Sequence, residues 1–199
     1  MAGREELLAA LRAAAPPPVP LPDLAHLGVR FADPIEQFAL ALAGAGGACV
    51  RVRDRAAAHA ALAALPIYRD AARVVSLAAE IGRSDVDLAG VADPHELDRL
   101  DVAVLAGAVA VAENGAVWVD GAELPHRALV VIAEHLVLVV DSKDVVHDMH
   151  EAYARLAARA LGYGVFIAGP SKTADIEQAL VIGAHGARSA TVLLLGGEP

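Results

Sequence analysis

The chain reads as an α/β protein in which a mostly parallel sheet is covered by helices, with a helical arm at the N-terminus. Three observations predict this. Helical and strand-like segments alternate through most of the 199 residues. Leu136 to Val140 is an uninterrupted apolar run of the kind a strand shows when both of its faces are buried. The first helical segment is set apart from the rest by a proline tract.

Residues Arg4 to Ala14 have helical composition, and Pro16-Pro17-Pro18-Val19-Pro20-Leu21-Pro22 must then run extended, because proline fixes φ and lacks the helix donor. Residues 1–22 are therefore an arm with a stiff spacer, and residues 23–199 form the α/β domain. The arm can pack on its own domain or on a neighbouring subunit, which leaves a homo-oligomer open. Asp33-Pro34 starts a helix through Ala43, and Gly44-Ala45-Gly46-Gly47 stops it ahead of the strand Ala48 to Val52. That order, helix then glycines then strand, is the reverse of a dinucleotide fingerprint. Asp54 caps a helix that runs to Leu65 and ends at Pro66, and Arg73 to Leu77 is the next strand. Val102 to Leu105, Ala108 to Ala112, Ala116 to Val119 and Leu136 to Val140 are expected to form the sheet centre. A helix over Asp144 to Leu161, a strand over Tyr163 to Ala168, a helix over Ala174 to Ile182 and a strand over Ala190 to Leu195 complete the βαβ rhythm.

Composition excludes several function classes. Formal charge is −9 with no cluster of basic residues, so the phosphate-neutralising surface of a nucleic-acid binder is missing. The hydrophobic fraction is 56%, but the longest apolar stretch, Ala128 to Val140, is broken by Glu134 and His135, and no membrane insertion is expected. Glu5 and Glu6 stand where a secretory signal carries basic residues, which predicts a cytoplasmic protein. The single cysteine, Cys49, can hold neither a disulfide nor an iron–sulfur cluster nor a structural zinc, so any redox centre belongs to a partner. No cofactor is assigned. His147 and His150 are three residues apart beside Asp144, Asp148 and Glu151, but no third ligand is indicated, and they read as a solvated helix face with no metal.

Chemistry is concentrated in two segments. In the first, Gly164 to Gln178, strand, turn and helix are expected in succession. Gly169-Pro170 breaks the strand, Ser171 or Thr173 caps the helix, and Asp175 and Glu177 favour its positive end. Lys172 and the free amides there suit a carboxylate or phosphate, although Gly169-Pro170-Ser171-Lys172-Thr173 is not a Walker sequence; an ordinary capped helix is the alternative. His185, between Gly183 and Gly186, faces a ligand or bonds to backbone. Lys143 either reaches an anion or sits in a helix-start loop. In the second segment, Ala112-Glu113-Asn114-Gly115, the Asn-Gly pair is a strong hairpin signal and exposes Glu113 at a strand end.

Gly169-Pro170-Ser171-Lys172-Thr173-Ala174-Asp175-Ile176-Glu177 resembles the Gly-Pro-Ser-Arg-Thr-Ala-Asp-Ile-Glu signature of the LUD-domain family of lactate-utilisation proteins. The resemblance continues through Val181 to Arg188 and back to Ala112-Glu113-Asn114-Gly115, covering the chain from about Asp101 onward. The departures are Lys172 for arginine, Asn114 for threonine and Ala187 for proline; losing the arginine fork removes bidentate carboxylate recognition at that position. The resemblance implies a NagB/RpiA/CoA-transferase-like fold. It also implies an accessory protein of L-lactate oxidation that works with iron–sulfur partner proteins. Such a protein binds a small anionic ligand, cofactor or partner through Glu113, Asn114, Gly115, Gly169, Ser171, Lys172, Thr173, Asp175, Glu177 and His185. Its Glu-Asn-Gly tripeptide is similar to that of CoA-transferases, whose glutamate attacks an acyl-CoA. The competing reading is accordingly a stand-alone transferase-like or folate-ligase-like enzyme with Glu113 as its catalytic group.

Overall fold

A computed structural model describes residues 3–20, 22, 27–157, 162–176 and 178–196. The arm helix α1 (Arg4–Ala13) buries no residue, and Leu7 and Leu11 are exposed along it. Helix α2 (Pro34–Gly44) begins where expected: the Asp33 carboxylate accepts the Ile35 and Glu36 amides at 2.9 Å each, and proline occupies the first turn, where its missing N–H costs nothing. Gly46, at φ +85°, turns the chain into β1 (Ala48–Val52), so the glycine cluster is a helix stop. Asp54 caps α3 (Arg55–Ala64), and Pro66, expected only to end that helix, opens the short α4 (Pro66–Arg69).

The strands that follow are β2 (Val74–Ser76), β3 (Val102–Ala106), β4 (Val109–Val111) and β5 (Ala116–Asp120). A single helical turn, α5 (Leu129–Ile132), leads into β6 (His135–Asp141). The chain continues through β7 (Val145–Val146), α6 (Met149–Ala157), β8 (Gly164–Ile167), β9 (Lys172–Thr173), β10 (Val181–Ile182) and β11 (Ser189–Leu195).

The central sheet runs β1-β11-β6-β3-β2 with every neighbour parallel, and β6, the uninterrupted apolar strand, lies in its middle. This is the mostly parallel α/β architecture expected. Alternation along the strands then assigns the layers. Val102, Val104, Val137, Val139 and Leu193 pack with Leu62 of α3 and Tyr68 of α4. Ala103, Leu105, Leu136, Leu138 and Leu194 face the other way and meet Phe38 and Leu42 of α2 together with Ala110, Val117 and Val119.

Those last residues correct one expectation. β4 and β5 are not in the sheet centre but in a second sheet, β7-β4-β5-β8, laid over α2's side of the first. Gly107 forces the departure, because a Cβ there would fall 2.4 Å from Val117 and 2.6 Å from Val140; the chain leaves the first sheet where only glycine fits between the layers. β8 pairs antiparallel to β5, so the expected parallel crossover into it does not exist. The helix expected over Asp144 to Leu161 is shorter: Ser142–Asp144 is one 3₁₀ turn, Val145–Val146 joins β4, and α6 starts at Met149. Its expected end, residues 158–161, lies outside the described residues, as do 21 and 23–26 around the boundary of the arm. α6 covers the outer face of the second sheet through Ala152 and Leu156. No described helix is long and apolar enough to cross a membrane.

Candidate functional site

The carboxyl ends of β4, β7 and β8 and the amino end of β5 lie at one edge of the second sheet. Both sequence motifs are at that edge. The Ala112 to Gly115 turn joins β4 to β5, and Gly169 follows β8 two residues beyond its last pair with β5, Val117↔Ile167. Both glycines have positive φ, +71° at Gly115 and +75° at Gly169. Both also touch the last turns of α2: a Cβ at Gly115 would fall 2.4 Å from the Leu42 nitrogen, and one at Gly169 2.6 Å from the Ala45 oxygen. Glycine is required twice because backbone packs on backbone, and α2 thereby seats the two motifs side by side.

Glu113 is exposed, but its carboxylate is engaged. Oε2 accepts the Met149 amide at 3.1 Å, and the Glu113 amide donates to the His147 carbonyl at 3.0 Å. The start of α6 is otherwise capped by buried Asp148, which accepts the Glu151 amide at 2.9 Å, so Glu113 satisfies a second free amide of the same helix end. Asn114 Oδ1 accepts the Ala116 amide at 3.0 Å, an Asx-type turn. His147 does not sit on a helix face. It precedes α6, its Nδ1 accepts the Phe31 amide at 3.1 Å, and it stacks on the Phe31 ring, while Arg30 pairs with Glu151.

The signature segment differs more from expectation. No helix spans Ala174 to Ile182; the Ser171 carbonyl accepts the Gly183 amide at 2.9 Å, and Lys172 and Thr173 pair antiparallel with Ile182 and Val181. A helix over those nine residues would hold its ends roughly 13 Å apart, which this pairing forbids. Ser171 and Thr173 therefore cap no helix. Thr173 Oγ1 instead accepts the Asp175 amide at 3.2 Å, and Asp175 is exposed. The hairpin carries Ile176, Leu180 and Ile182 outward, at 46%, 67% and 50% exposure. Glu177 lies outside the described residues.

Lys172 is exposed and forms no ion pair among the described residues. A Cβ at Gly46 would be 3.2 Å from its Nζ, so the ammonium stands at the carbonyl end of α2, whose own last turn holds no basic residue. The root of the hairpin is fixed by the Ser171 amide donating to the Ala187 carbonyl at 2.8 Å. Gly169, Ser171 and His185 line a hollow of about 240 Å³, and His185 also borders one of about 500 Å³ at the amino ends of the central strands. His185 has no hydrogen-bond partner among the described residues.

A third cavity, of about 350 Å³, lies over the carboxyl ends of β3, β6 and β11. It takes in Arg55, Asp141 and Lys143, of which sequence reasoning singled out only Lys143. The signal for the other two was available in their positions, Asp141 ending the buried strand and Arg55 opening the helix after β1. Lys143 Nζ bonds to Asp141 Oδ2 at 2.9 Å, which holds the Asp141 carboxyl below the usual carboxylate range and the Lys143 ammonium above its own.

Comparison with known proteins bears on the same stretch. The family model described as the LUD domain matches residues 71–195, which include the whole of both motifs. The chain belongs to the LUD-domain family. This LUD chain is 35% identical over 107 residues to a Lactate utilization protein C of Deinococcus radiodurans, covering 51% of this chain and 49% of that protein. It is 33% identical over 94 residues to a Lactate utilization protein C of Bacillus pumilus, covering 44% and 39%, and 29% identical over 107 residues to that of Shouchella clausii, covering 51% and 46%. The chain thus spans half or less of the length of these relatives. Its fold is similar to the crystal structure of a DUF162 family protein from Deinococcus radiodurans, with TM-score 0.65, 24% identity, and coverage of 84% of this chain and 99% of that one.

Proposed function

We propose that this LUD chain is an accessory protein of L-lactate utilisation that acts in the cytoplasm with iron–sulfur partner proteins rather than catalysing oxidation alone. The observation that carries the reading is the signature hairpin, which presents Lys172, Ile176, Leu180 and Ile182 to solvent beside the Glu113 turn. Exposed apolar side chains grouped on one projecting element suit a contact with another protein. The naming of the relatives as Lactate utilization protein C supports the pathway, and a single cysteine fits a division of labour in which the partner holds the cluster.

In this reading a small anion or a partner carboxylate is held at the edge of the second sheet. Lys172 supplies the charge, and Ser171, Thr173 and His185 supply hydrogen bonds. Glu113, Asn114, Gly115 and Gly169 shape and support the site, and Asp175 and Glu177 bound the charge of the hairpin. The engagement of Glu113 by the Met149 amide favours such a supporting role over a nucleophile that must reach an acyl-CoA. Deleting the coding sequence in the native host tests the reading: growth on L-lactate is expected to fail while growth on pyruvate continues. Undiminished growth on L-lactate overturns it.

A further inference from the structure

The third cavity has a charge arrangement that selects a ligand. Its apolar lining comes from Leu77, Val139 and Leu195 together with the small residues Ala78, Ala106 and Gly107, and its rim carries Arg55, Asp141, Lys143 and Asp144. Both rim carboxylates already have cations: Asp141 pairs with Lys143 at 2.9 Å, and Asp144 with Arg155 at 3.4 Å. Arg55 is different. It gives one guanidinium N–H to the Ala79 carbonyl at 2.8 Å and forms no ion pair among the described residues. With Arg155, which pairs with Asp144 from outside the lining, counted in, three cations face two carboxylates, and Arg55 is the cation left for an anion, beside carboxylate oxygens that accept hydrogen bonds.

A multiply charged anion such as phosphate meets Asp141 and Asp144 unfavourably, and a cation meets Arg55 and Lys143. A monoanion that also donates a hydroxyl hydrogen bond satisfies both sets: its carboxylate takes the Arg55 fork, and its hydroxyl donates to Asp141. The volume, about 350 Å³, lies at the small end of ligand sites, and the apolar lining accepts a short aliphatic skeleton. The position over the carboxyl ends of parallel strands is where open α/β sheets receive ligands. The geometry points to a binding site for a short hydroxycarboxylate in this cavity, with Arg55 holding the carboxylate and Asp141 the hydroxyl.

The inference goes beyond the accessory role and stands without it, since it concerns a different site and is tested on the chain alone. L-lactate and glycolate are titrated into the full chain by calorimetry and by chemical-shift perturbation, with propionate, L-alanine and inorganic phosphate as comparison ligands. Both hydroxy acids are expected to bind saturably, with propionate, which lacks the hydroxyl, about tenfold weaker or more. Arg55→Gln and Asp141→Asn are each expected to weaken L-lactate binding about tenfold or more. Ala79→Phe, at an exposed position on the rim, is expected to block binding with the fold intact by circular dichroism. The proposal is overturned if no hydroxy acid binds, if propionate, alanine or phosphate binds as well as L-lactate, or if the Arg55 and Ala79 variants bind unchanged.

Discussion

The two motifs at the edge of the second sheet are built in opposite ways. The Glu113 turn is fixed on every side: Gly115 is pressed against the backbone of α2, the Gly115 amide donates to the Val111 carbonyl, and Glu113 is bonded to both His147 and Met149. The signature hairpin is tied to the rest of the domain at its root, where Ser171 bonds to Ala187, and beyond that by its own short pairing, and Ile176, Leu180 and Ile182 remain about half or more exposed. The difference separates scaffold from reader. A turn that makes so many contacts within its own domain sets geometry, whereas one that keeps its apolar groups in water is available to something else.

The contrast is easiest to break at the glycines. Gly115→Ala combines a left-handed backbone with a Cβ 2.4 Å from the Leu42 nitrogen, neither of which can relax cheaply. It is expected to cost about 3 kcal/mol or more in urea unfolding. Gly183→Ala at the hairpin root meets Arg188 Cγ at 2.2 Å, which a rotation about χ1 moves away at the cost of the exposed pair with Glu134, and keeps the strain of φ +80° and a 3.2 Å approach to Arg188 Cα. Its expected cost is about 1–2 kcal/mol by the same measurement. Equal losses at the two positions would erase the distinction drawn here.

A smaller effect sharpens the reading of Glu113. Removing the carboxylate in Glu113→Ala frees the Met149 amide, and is expected to cost about 1 kcal/mol and to raise amide exchange in the first turn of α6. Glu113→Gln keeps an acceptor oxygen and should retain most of that stability. Were Glu113→Ala fully neutral, the cap would be incidental and a chemical role for the side chain would gain weight.

Much of the first sheet was legible in the sequence, because each strand carries its own evidence: Leu136 to Val140 is apolar on both faces and lies in the middle of a parallel sheet. The second sheet was not, because β4 and β5 have the same Val and Ala composition as the central strands, and only the Gly107 contacts between layers separate them. The helix read over Ala174 to Ile182 failed for a related reason. Its residues favour helix locally, but the bond between Ser171 and Gly183 closes the segment into a loop, and that pairing depends on where β8 and β11 lie in space. Glu113 and Gly169 were visible as motif residues; that α2 brings their turns together was not. Arg55 and Asp141 escaped notice because a cavity over strand ends is assembled from five separated segments and leaves no local pattern.

The smallest expected effect on stability falls on the hairpin itself. The double substitution Ile176→Ser, Leu180→Ser removes apolar groups that are already largely exposed to water, so unfolding is expected to shift by only about 0.5 kcal/mol. Partner association should nevertheless be lost, and this is the most direct test of the accessory role. The tagged wild-type chain and the double variant are purified anaerobically from the native host, and co-purifying proteins, iron content and visible absorbance are measured. The account predicts brown, cysteine-rich iron–sulfur proteins with the wild type and a colourless chain with the variant. A colourless wild-type chain recovered alone, or a variant that retains its iron–sulfur partners undiminished, would contradict it.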